Sequence, residues 1–413
     1  MDFTWNIHRG GNGCATDLQY NASTGGCEST EISQPKKELP QPDTDSACTG
    51  KTAGNPVVIA NGAKYQEFLD YPPKIGLGFK RFYSTTNKTW SHNYSDRLVA
   101  SDVSLVVERG NGQQISFTVS GSSILPDSID QGTLTRNSQG YVYSSKDGWK
   151  ISFNSAGTMT GKVSPNGATY TVQKSQSGTT VTGPLGEIYT ITEDQFGQPL
   201  GFSTQTYNLK FSYDALRRLV SVIKNNSPTP SQTLFYADTR FPSYLTSIKD
   251  ENGVTFASWT YDDQGRGLTS EHAGGAEHVA IAYNSDGSRT VTNGYGKSAT
   301  YRFRVINGTS YITSIEGEPT PNCPAANSSF TYDAQGLLKA KTDAKGSITT
   351  YDYNDRGLET SRTEAAGTPQ ARTITTEWHP TLYLKTKVTE PNRITTYQYD
   401  AQGRNTGAIS HSL

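Results

Sequence analysis

The amino-acid sequence predicts an all-β protein that is built around one long antiparallel sheet. Short runs of alternating apolar and polar residues dominate the chain, and almost no segment shows the 3.6-residue period of a helix. Glycines interrupt these runs every 8 to 11 residues, at positions 148, 157, 167, 178, 186 and 197. The chain is rich in aromatic residues (24 Tyr, 14 Phe and 5 Trp) but only 33% hydrophobic. Such a composition favours extended strands over a thick globular core.

Residues 1–52 are predicted to form a loop-rich leader and linker ahead of the sheet. The stretch Gln34–Asp43 contains three prolines and shows no apolar period, which is typical of a linker. The N-terminus, Met1–Cys14, has no basic region followed by an apolar stretch, so no signal peptide is recognisable. We therefore expect another export route or a natural start further upstream.

The leader contains most of the cysteines. The four cysteines of the chain are Cys14, Cys27, Cys48 and Cys323. A disulfide between Cys14 and Cys27 would suit a loop-rich segment in an oxidising compartment. A zinc site with His8 as the fourth ligand is an alternative, although the spacings match no zinc pattern. Unpaired thiols are the third interpretation, and Cys323 is expected to be an inert loop residue.

Residues 53–145 are predicted to form an N-terminal β-region. Two apolar runs, Leu105–Val107 and Ile115–Val119, lie on either side of Gly110-Asn111-Gly112. The second run alternates apolar and polar residues, so its apolar side chains share one face. The Asn-Gly pair accepts the positive φ angles that a tight hairpin turn requires. The pattern therefore predicts a β-hairpin with one buried face.

Residues 146–413 are predicted to form an array of repeats, because one short motif recurs along them. The motif is an aromatic residue, then Asp or Asn, two variable residues and glycine. Phe153-Asn154 opens an early copy and Glu193-Asp194 a degenerate one. The tyrosine copies are Tyr213-Asp214-Ala-Leu-Arg217, Tyr261-Asp262-Asp-Gln-Gly265, Tyr283-Asn284-Ser-Asp-Gly287, Tyr332-Asp333-Ala-Gln-Gly336, Tyr353-Asn354-Asp-Arg-Gly357 and Tyr399-Asp400-Ala-Gln-Gly403. Their spacing of about one or two units of 20–25 residues matches two short strands with their turns.

Each residue type in the motif has a structural role. We expect the tyrosine to end a strand and to pack its ring against a neighbouring ring. The Asp or Asn side chain is expected to accept backbone N–H groups in the turn. Glycine supplies a positive φ angle without steric cost. Arg217 occupies the glycine position of its copy, so it is expected to be strained or to adopt a different turn.

The titratable clusters outside the repeats do not form a known catalytic motif. The segment Glu271–His278 carries two Glu and two His, and we expect it to be a solvated hairpin loop. Trp378-His379-Pro380 has no nucleophile beside it in the sequence. No nucleophile elbow, phosphate loop or zinc-protease motif occurs. We therefore expect no enzyme activity, no catalytic residue, no cofactor and no metal site.

Charge and hydropathy exclude two further classes. The 37 Lys and Arg residues are balanced by 38 Asp and Glu residues, for a net charge of −1. Without a basic surplus, a dedicated nucleic-acid-binding role is not expected. No apolar run approaches 18 residues, so no membrane-spanning helix is expected.

The repeat motif resembles the YD repeat of the Rhs family, over roughly residues 150–413. The N-terminal region is similar to that family as well. Its matching segments, in order, are Gly54–Tyr65, Asp70-Tyr71, Phe79–Ser84 and Trp90–Tyr94. The resemblance implies a β-sheet that curls into an open or partial hollow shell, as in secreted polymorphic toxins of bacteria.

Family shells surround a C-terminal toxin, which follows an Asp-Pro-x-Gly-like motif that this sequence lacks. The resemblance thus implies a non-catalytic shell or scaffold segment of a secreted toxin system, one that encloses or presents other polypeptide. The implied partner is a C-terminal toxin or another part of the shell, and the implied location is secreted or on the bacterial cell surface. The alternative is a cell-surface module that binds glycans or proteins, because exposed aromatic ladders stack well on sugars.

Overall fold

A computed structural model describes residues 51–413, apart from 73–77, 129–130, 177, 318–326 and 401–402, and the backbone of two strands before residue 51. The side chains of the leader lie outside the described residues. The same holds for the predicted disulfide of Cys14 and Cys27, for the alternative zinc site, and for Cys48 and Cys323.

The first eleven strands form four small antiparallel sheets. Two are two-stranded, pairing β1 (Leu18–Asn21) with β2 (Gly26–Ser29) and β3 (Thr52–Ala53) with β4 (Val57–Val58). The others contain β5 (Tyr65–Tyr71), β6 (Phe79–Ser84) and β7 (Trp90–His92), and β8 (Arg97–Ala100), β9 (Ser104–Glu108), β10 (Gln114–Ser120) and β11 (Ser123–Pro126). The predicted hairpin is confirmed as β9 and β10, with Ile115 and Phe117 buried.

The remaining 26 strands form a single sheet in which spatial order equals sequence order. Its first half contains β12 (Thr133–Asn137), β13 (Gly140–Ser144), β14 (Lys150–Asn154), β15 (Met159–Val163), β16 (Thr169–Ser175), β17 (Gly178–Thr182), β18 (Ile188–Glu193), β19 (Pro199–Ser203), β20 (Asn208–Tyr213), β21 (Leu219–Lys224), β22 (Gln232–Phe235), β23 (Ser247–Asp250) and β24 (Thr255–Tyr261). Its second half contains β25 (Gly267–His272), β26 (Val279–Tyr283), β27 (Arg289–Asn293), β28 (Ser298–Ile306), β29 (Thr309–Gly317), β30 (Ser328–Tyr332), β31 (Leu338–Thr342), β32 (Ile348–Tyr353), β33 (Glu359–Glu364), β34 (Arg372–Trp378), β35 (Lys385–Glu390), β36 (Arg393–Tyr399) and β37 (Asn405–Ser412).

These strands confirm the predicted all-β class and the open antiparallel sheet. Every strand pairs with its neighbours in sequence, and β12 does not pair with β37, so the sheet is not closed into a barrel. The strands β12 and β13 belong to this sheet although they precede residue 146, and the division of the chain into three parts stays a prediction. A 3₁₀ turn at Ala273–Gly275 separates β25 from β26. Within the described residues, no helix is long and apolar enough to cross a membrane.

One face of the long sheet packs against the small sheets of the N-terminal region, and we call it the covered face. Phe79 and Trp90 from the small sheets lie in one buried cluster with Phe202, Phe211 and many other apolar side chains of the long sheet. The ring centroids of Phe79 and Phe202 are 4.5 Å apart. Alternation along the strands places the buried apolar side chains of the first half, such as Ile151 with Phe153 and Tyr189 with Ile191, on one face of the sheet.

Candidate functional site

One backbone turn recurs between strands of the long sheet. At Asp262–Arg266, for example, the Asp262 N–H donates to the Arg266 carbonyl and the Gly265 N–H donates to the Asp262 carbonyl, at 2.9 and 3.0 Å. Gly265 has a φ angle of 76°, and the strand register shifts by one residue beside it. This is a type I turn closed by a glycine bulge, a common three-residue hairpin connection.

The first residue of the turn stabilises it through its side chain. Asp262 Oδ1 accepts the N–H groups of Gln264 and Arg266 at 3.0 and 2.8 Å. The equivalent side chains that accept backbone N–H groups in this way are Asn154, Asp194, Asp214, Asp333, Asn354 and Asp400. In the Asn284 copy the arrangement differs, because Asp286 accepts the Ser288 N–H while Asn284 Nδ2 donates to two hydroxyls.

The motif tyrosines lie along one border of the sheet, where the even-numbered strands end. Consecutive turns of a sequential antiparallel sheet lie at opposite ends of the strands, and every motif turn follows an even-numbered strand. We call the side formed by the turns after the even-numbered strands β14 to β36 the tyrosine rim. A single row of turns thus carries all the repeat copies.

A ladder of hydrogen bonds runs along the tyrosine rim. Each motif tyrosine donates its hydroxyl to a backbone carbonyl near the start of the preceding strand, at 2.6–2.8 Å. The pairs are Tyr213 with Pro199, Tyr261 with Leu245, Tyr283 with Gly267, Tyr332 with Ile312, Tyr353 with Leu338 and Tyr399 with Lys385. Burial raises the pKa of these phenols, to about 12 for Tyr332, so each stays a proton donor at neutral pH. The ladder ties each hairpin to the one before it.

The predicted packing on a neighbouring ring is found at two copies, although the partner ring is not another motif tyrosine. The ring neighbours of Tyr261 and Tyr332 are instead Tyr244 and Tyr311, with centroids 5.1 and 4.9 Å apart. Consecutive motif tyrosines are two strands apart, about 10 Å, and this distance exceeds the reach of ring contact.

Two further aromatic residues belong to the ladder but were not predicted. The Tyr236 hydroxyl donates to the Leu219 carbonyl at 3.0 Å, and the Trp378 indole N–H donates to the Glu359 carbonyl at 2.8 Å. His379 then replaces the usual Asp, because its Nδ1 accepts the N–H groups of two later turn residues. Each of these residues lies within a double-length interval between two motif tyrosines. That interval was the signal from which an additional copy could have been predicted.

Arg217 adopts the common turn rather than a different one. Its φ angle is 59°, and its N–H donates to the Asp214 carbonyl at 2.9 Å. At every other turn with this pair of hydrogen bonds in the described part of the chain, the corresponding residue is glycine. A side chain in the left-handed region costs about 1–2 kcal/mol, so the expected strain is present.

Buried ion pairs join the N-terminal region to the covered face. The fully buried Arg81 forms a salt bridge with Asp70, and its Nη2 donates to Gln232 Oε1 of β22 at 3.0 Å. The guanidinium lies 4.8–5.0 Å from the ring centroids of Phe68, Trp90 and Phe211. Because a lone buried charge is very costly, this carboxylate and these rings are needed to keep Arg81 in place.

A second buried carboxylate, Asp96, holds two cations. It accepts Lys162 Nζ at 2.8 Å and Arg109 Nε at 3.2 Å, and the Gly110 N–H donates to it as well. Although burial opposes the change, Lys162 and Arg109 lower the pKa of Asp96. The hairpin β9–β10 is thereby fixed to β15.

His92 and Glu193 form a third contact of this kind. His92 Nε2 donates to Glu193 Oε1 at 3.0 Å, while His92 Nδ1 accepts the Tyr94 N–H. Burial lowers the pKa of His92, so the neutral imidazole is the donor. Although burial opposes the shift, hydrogen bonds from His92 and Thr179 lower the pKa of Glu193. The ionisable groups at this contact therefore hold the N-terminal region and the long sheet together.

Beyond β30 the covered face becomes polar. Among the described residues that follow β30, the buried apolar side chains are Leu358 and Ile374. A groove of about 620 Å³ lies on this part of the face. Arg362 crosses its floor between Glu359 and Glu364, at 3.3 Å from each, and Tyr351 also lines it. Lys51 of the N-terminal region also lines the groove. This part of the face combines aromatic rings with paired charges.

The predicted titratable segment begins at the end of β25, which includes Glu271 and His272, and continues through the loop before β26. His278 Nδ1 is 2.9 Å from Glu271, and His272 Nε2 is 3.3 Å from Glu277. Glu277 is 79% exposed. In the part of the chain that the structure describes, no group of three or more His, Cys, Asp and Glu is arranged to hold a metal ion.

Comparisons with known proteins give two family matches. Residues 332–369 match the family model described as RHS Repeat, and residues 54–117 match a domain of unknown function, DUF6531. The first match covers the copies at Tyr332 and Tyr353, and the second covers most of the small N-terminal sheets. No curated protein matches the sequence.

Similar solved structures include large toxin complexes. One is the crystal structure of TcdB2-TccC3-Cdc42, with 12% identity and a TM-score of 0.42 over 83% of this chain and 22% of that chain. Another is TcdB2-TccC3 without its hypervariable C-terminal region, with 12% identity and a TM-score of 0.32 over 95% of this chain and 22% of that one. A third is the Photorhabdus luminescens Tc holotoxin pore, with 12% identity and a TM-score of 0.30 over 96% of this chain and 22% of that one. This chain spans about a fifth of the length of each.

Proposed function

Because this chain is a YD-repeat protein of the Rhs family, we propose that it forms a wall segment of a non-catalytic shell in a secreted bacterial toxin system. In this role the wall encloses or presents another polypeptide, either a C-terminal toxin or another part of the shell. The observation that carries the proposal is the single sheet of 26 strands in sequence order, open at both ends. Such a sheet grows by adding hairpins and provides area rather than a solid core.

The two halves of the covered face support this role. The first half is apolar and is packed by the N-terminal region. The second half carries paired charges such as Arg362 with Glu364, together with tyrosines. A surface that must accept and release a chain cannot be a dry apolar core, because apolar surfaces of this size would collapse together. Paired charges and phenols suit a wall that stays solvated until it is occupied.

The proposed role can be tested with a permanently unfolded polypeptide as a probe. Reduced and carboxymethylated α-lactalbumin, carrying a fluorescent label, is titrated with the purified chain. We expect binding that weakens at least fivefold in Tyr351→Ser, which removes a ring from the groove. The matched control is Ile348→Ser, because Ile348 lies on the same strand but its side chain points to the opposite face.

Binding that is absent, or that both variants weaken equally, would contradict the wall proposal. Native mass and small-angle scattering of the same sample add an independent measurement. A radius of gyration well above that of a compact particle of 44.9 kDa is the expected result for an open wall. A radius equal to the compact value would argue against it.

Glycan binding has less support than polypeptide binding. It would require the repeat aromatics to present free faces and hydroxyls in a row. The motif hydroxyls are instead bonded to backbone carbonyls, and Tyr261 is only 3% exposed. A glycan array with signal above background that Tyr351→Ser removes would reverse this ranking.

A further inference from the structure

The tyrosine rim carries an arginine that the fold does not need. Arg217 occupies the left-handed position of its turn, where glycine would make the same backbone bonds without strain. Backbone strain that persists at one position suggests that the side chain has a use. The surroundings of this side chain indicate what that use is.

Arg217 lies on an exposed aromatic ring from the neighbouring turn of the rim. Its guanidinium carbon is 3.9 Å from the ring centroid of Phe196. Phe196 is 57% exposed, and Leu216, next to Arg217, is 60% exposed. Two large apolar side chains and a stacked cation therefore share one part of the surface, which we call the rim patch (Phe196, Leu216 and Arg217).

The rim patch is held in a fixed position. Gln198, which is 1% exposed, donates its Nε2 to the Arg217 carbonyl at 3.3 Å and accepts the Trp90 N–H at 3.1 Å. The turn that presents Arg217 is thus tied to the N-terminal region. A surface that is ordered beforehand loses less entropy when a partner binds.

The charge of Arg217 is not balanced within the described residues. Its neighbour Arg218 pairs with Asp214 at 2.6 Å, and Arg240, Arg266 and Arg404 on the same rim also pair with carboxylates. No such ion pair involves Arg217 in the described part of the chain. Its guanidinium presents a fork of N–H donors that fits a carboxylate.

We propose that the rim patch is a docking site for a partner polypeptide that presents an Asp or Glu beside an apolar side chain. The carboxylate would pair with Arg217, and the apolar side chain would cover Phe196 and Leu216. Arginine and aromatic residues are enriched where protein interfaces concentrate their binding energy. This contact lies at the ends of the strands, so it is separate from the polar groove of the wall.

A peptide selection tests the proposal. A phage library of 12-residue random peptides is selected on the intact chain, and the enriched peptides are synthesised with their acids intact and with Asn or Gln in place of Asp or Glu. Binding of both forms is measured to the wild type and to Arg217→Gly, Phe196→Ala and Arg240→Gly. Arg217→Gly should fold at least as stably as the wild type, and its unfolding transition is measured alongside. Arg240→Gly is the matched control because it removes a rim arginine that already has partners.

The expected result is enrichment of Asp or Glu next to apolar residues, with affinity at least tenfold weaker for Arg217→Gly and Phe196→Ala. The amide peptides should show the same loss on the wild type, and Arg240→Gly should bind normally. The proposal is overturned if no peptides are selected, if acids are not enriched, or if Arg217→Gly binds the acidic peptides as well as the wild type.

Discussion

The indole N–H of Trp378 donates to the Glu359 carbonyl at 2.8 Å. This is the bond that the Tyr353 hydroxyl makes to the Leu338 carbonyl one hairpin earlier, also at 2.8 Å. The requirement at this position is therefore an aromatic ring that carries a polar hydrogen at its far end, rather than tyrosine itself. A ring of this kind fills the space above the turn and reaches a carbonyl of the preceding strand.

This equivalence predicts the effect of two substitutions at Trp378. Trp378→Tyr keeps a donor, whereas Trp378→Phe has the same ring size without one. Both lose similar contact area, so their difference isolates the hydrogen bond, and we expect Phe to be about 1 kcal/mol less stable than Tyr. Urea unfolding of the two variants measures it. Equal stability would show that the ring alone matters.

Much of the repeat sheet could be predicted because each copy is local. The turn requires an Asp or Asn side chain that accepts backbone N–H groups and a residue with positive φ, both within five positions. This requirement is visible in the sequence, as at Asp262 and Gly265. The copies at Tyr236 and Trp378 were not predicted because their motifs are altered. Asp238 lies two residues after Tyr236 instead of one, and His379 replaces the Asp after Trp378. The sequence intervals around them, from Tyr213 to Tyr261 and from Tyr353 to Tyr399, each leave room for one more unit.

The contacts of the N-terminal region could not be predicted in the same way. Arg81 and Gln232 are 151 positions apart, and nothing in the local pattern of β6 distinguishes Arg81 from a half-buried lysine such as Lys80. Its burial follows from which face of β6 meets the long sheet, and that depends on tertiary packing. The rim patch was missed for a related reason, because Phe196 and Arg217 meet only when adjacent hairpins align.

The salt bridge of Arg81 with Asp70 should be strongly coupled. Asp70→Asn leaves the fully buried guanidinium without a counter-ion, and we expect a loss of about 3–5 kcal/mol. The double variant Asp70→Leu with Arg81→Met removes both charges and should regain much of this loss. Chemical unfolding followed by tryptophan fluorescence reports the region, because Trp90 lies 5.0 Å from Arg81. A double variant less stable than Asp70→Asn would mean that the cation stabilises the contact by its stacking alone.

The free-energy cost of a side chain at the left-handed position of the turn can be measured separately from packing effects. Gly287 has a φ angle of +82°, and an added Cβ would meet nothing within 4 Å. Gly287→Ala therefore tests the backbone alone and should cost about 1–2 kcal/mol. Gly294→Ala is the matched control, since Gly294 lacks a positive φ and its added Cβ would make only ordinary contacts beyond 3.5 Å; we expect a change within about 0.5 kcal/mol. Equal effects on the thermal midpoint would argue against strain at this position.

The tyrosine ladder should make the protein sensitive to alkali. Burial raises the pKa of Tyr332 from 10.0 to about 12, and the hydroxyl must keep its proton to donate to the Ile312 carbonyl. Because the folded pKa is the higher one, this stabilisation is complete below pH 10 and is lost as the pH rises from 10 towards 12. Urea midpoints across this window should fall in the wild type and fall less steeply in Tyr332→Phe, which has no proton to lose there. Tyr295→Phe is the control, because Tyr295 is 94% exposed and makes no ladder bond. An unchanged slope in Tyr332→Phe would show that this rung does not contribute to alkaline unfolding.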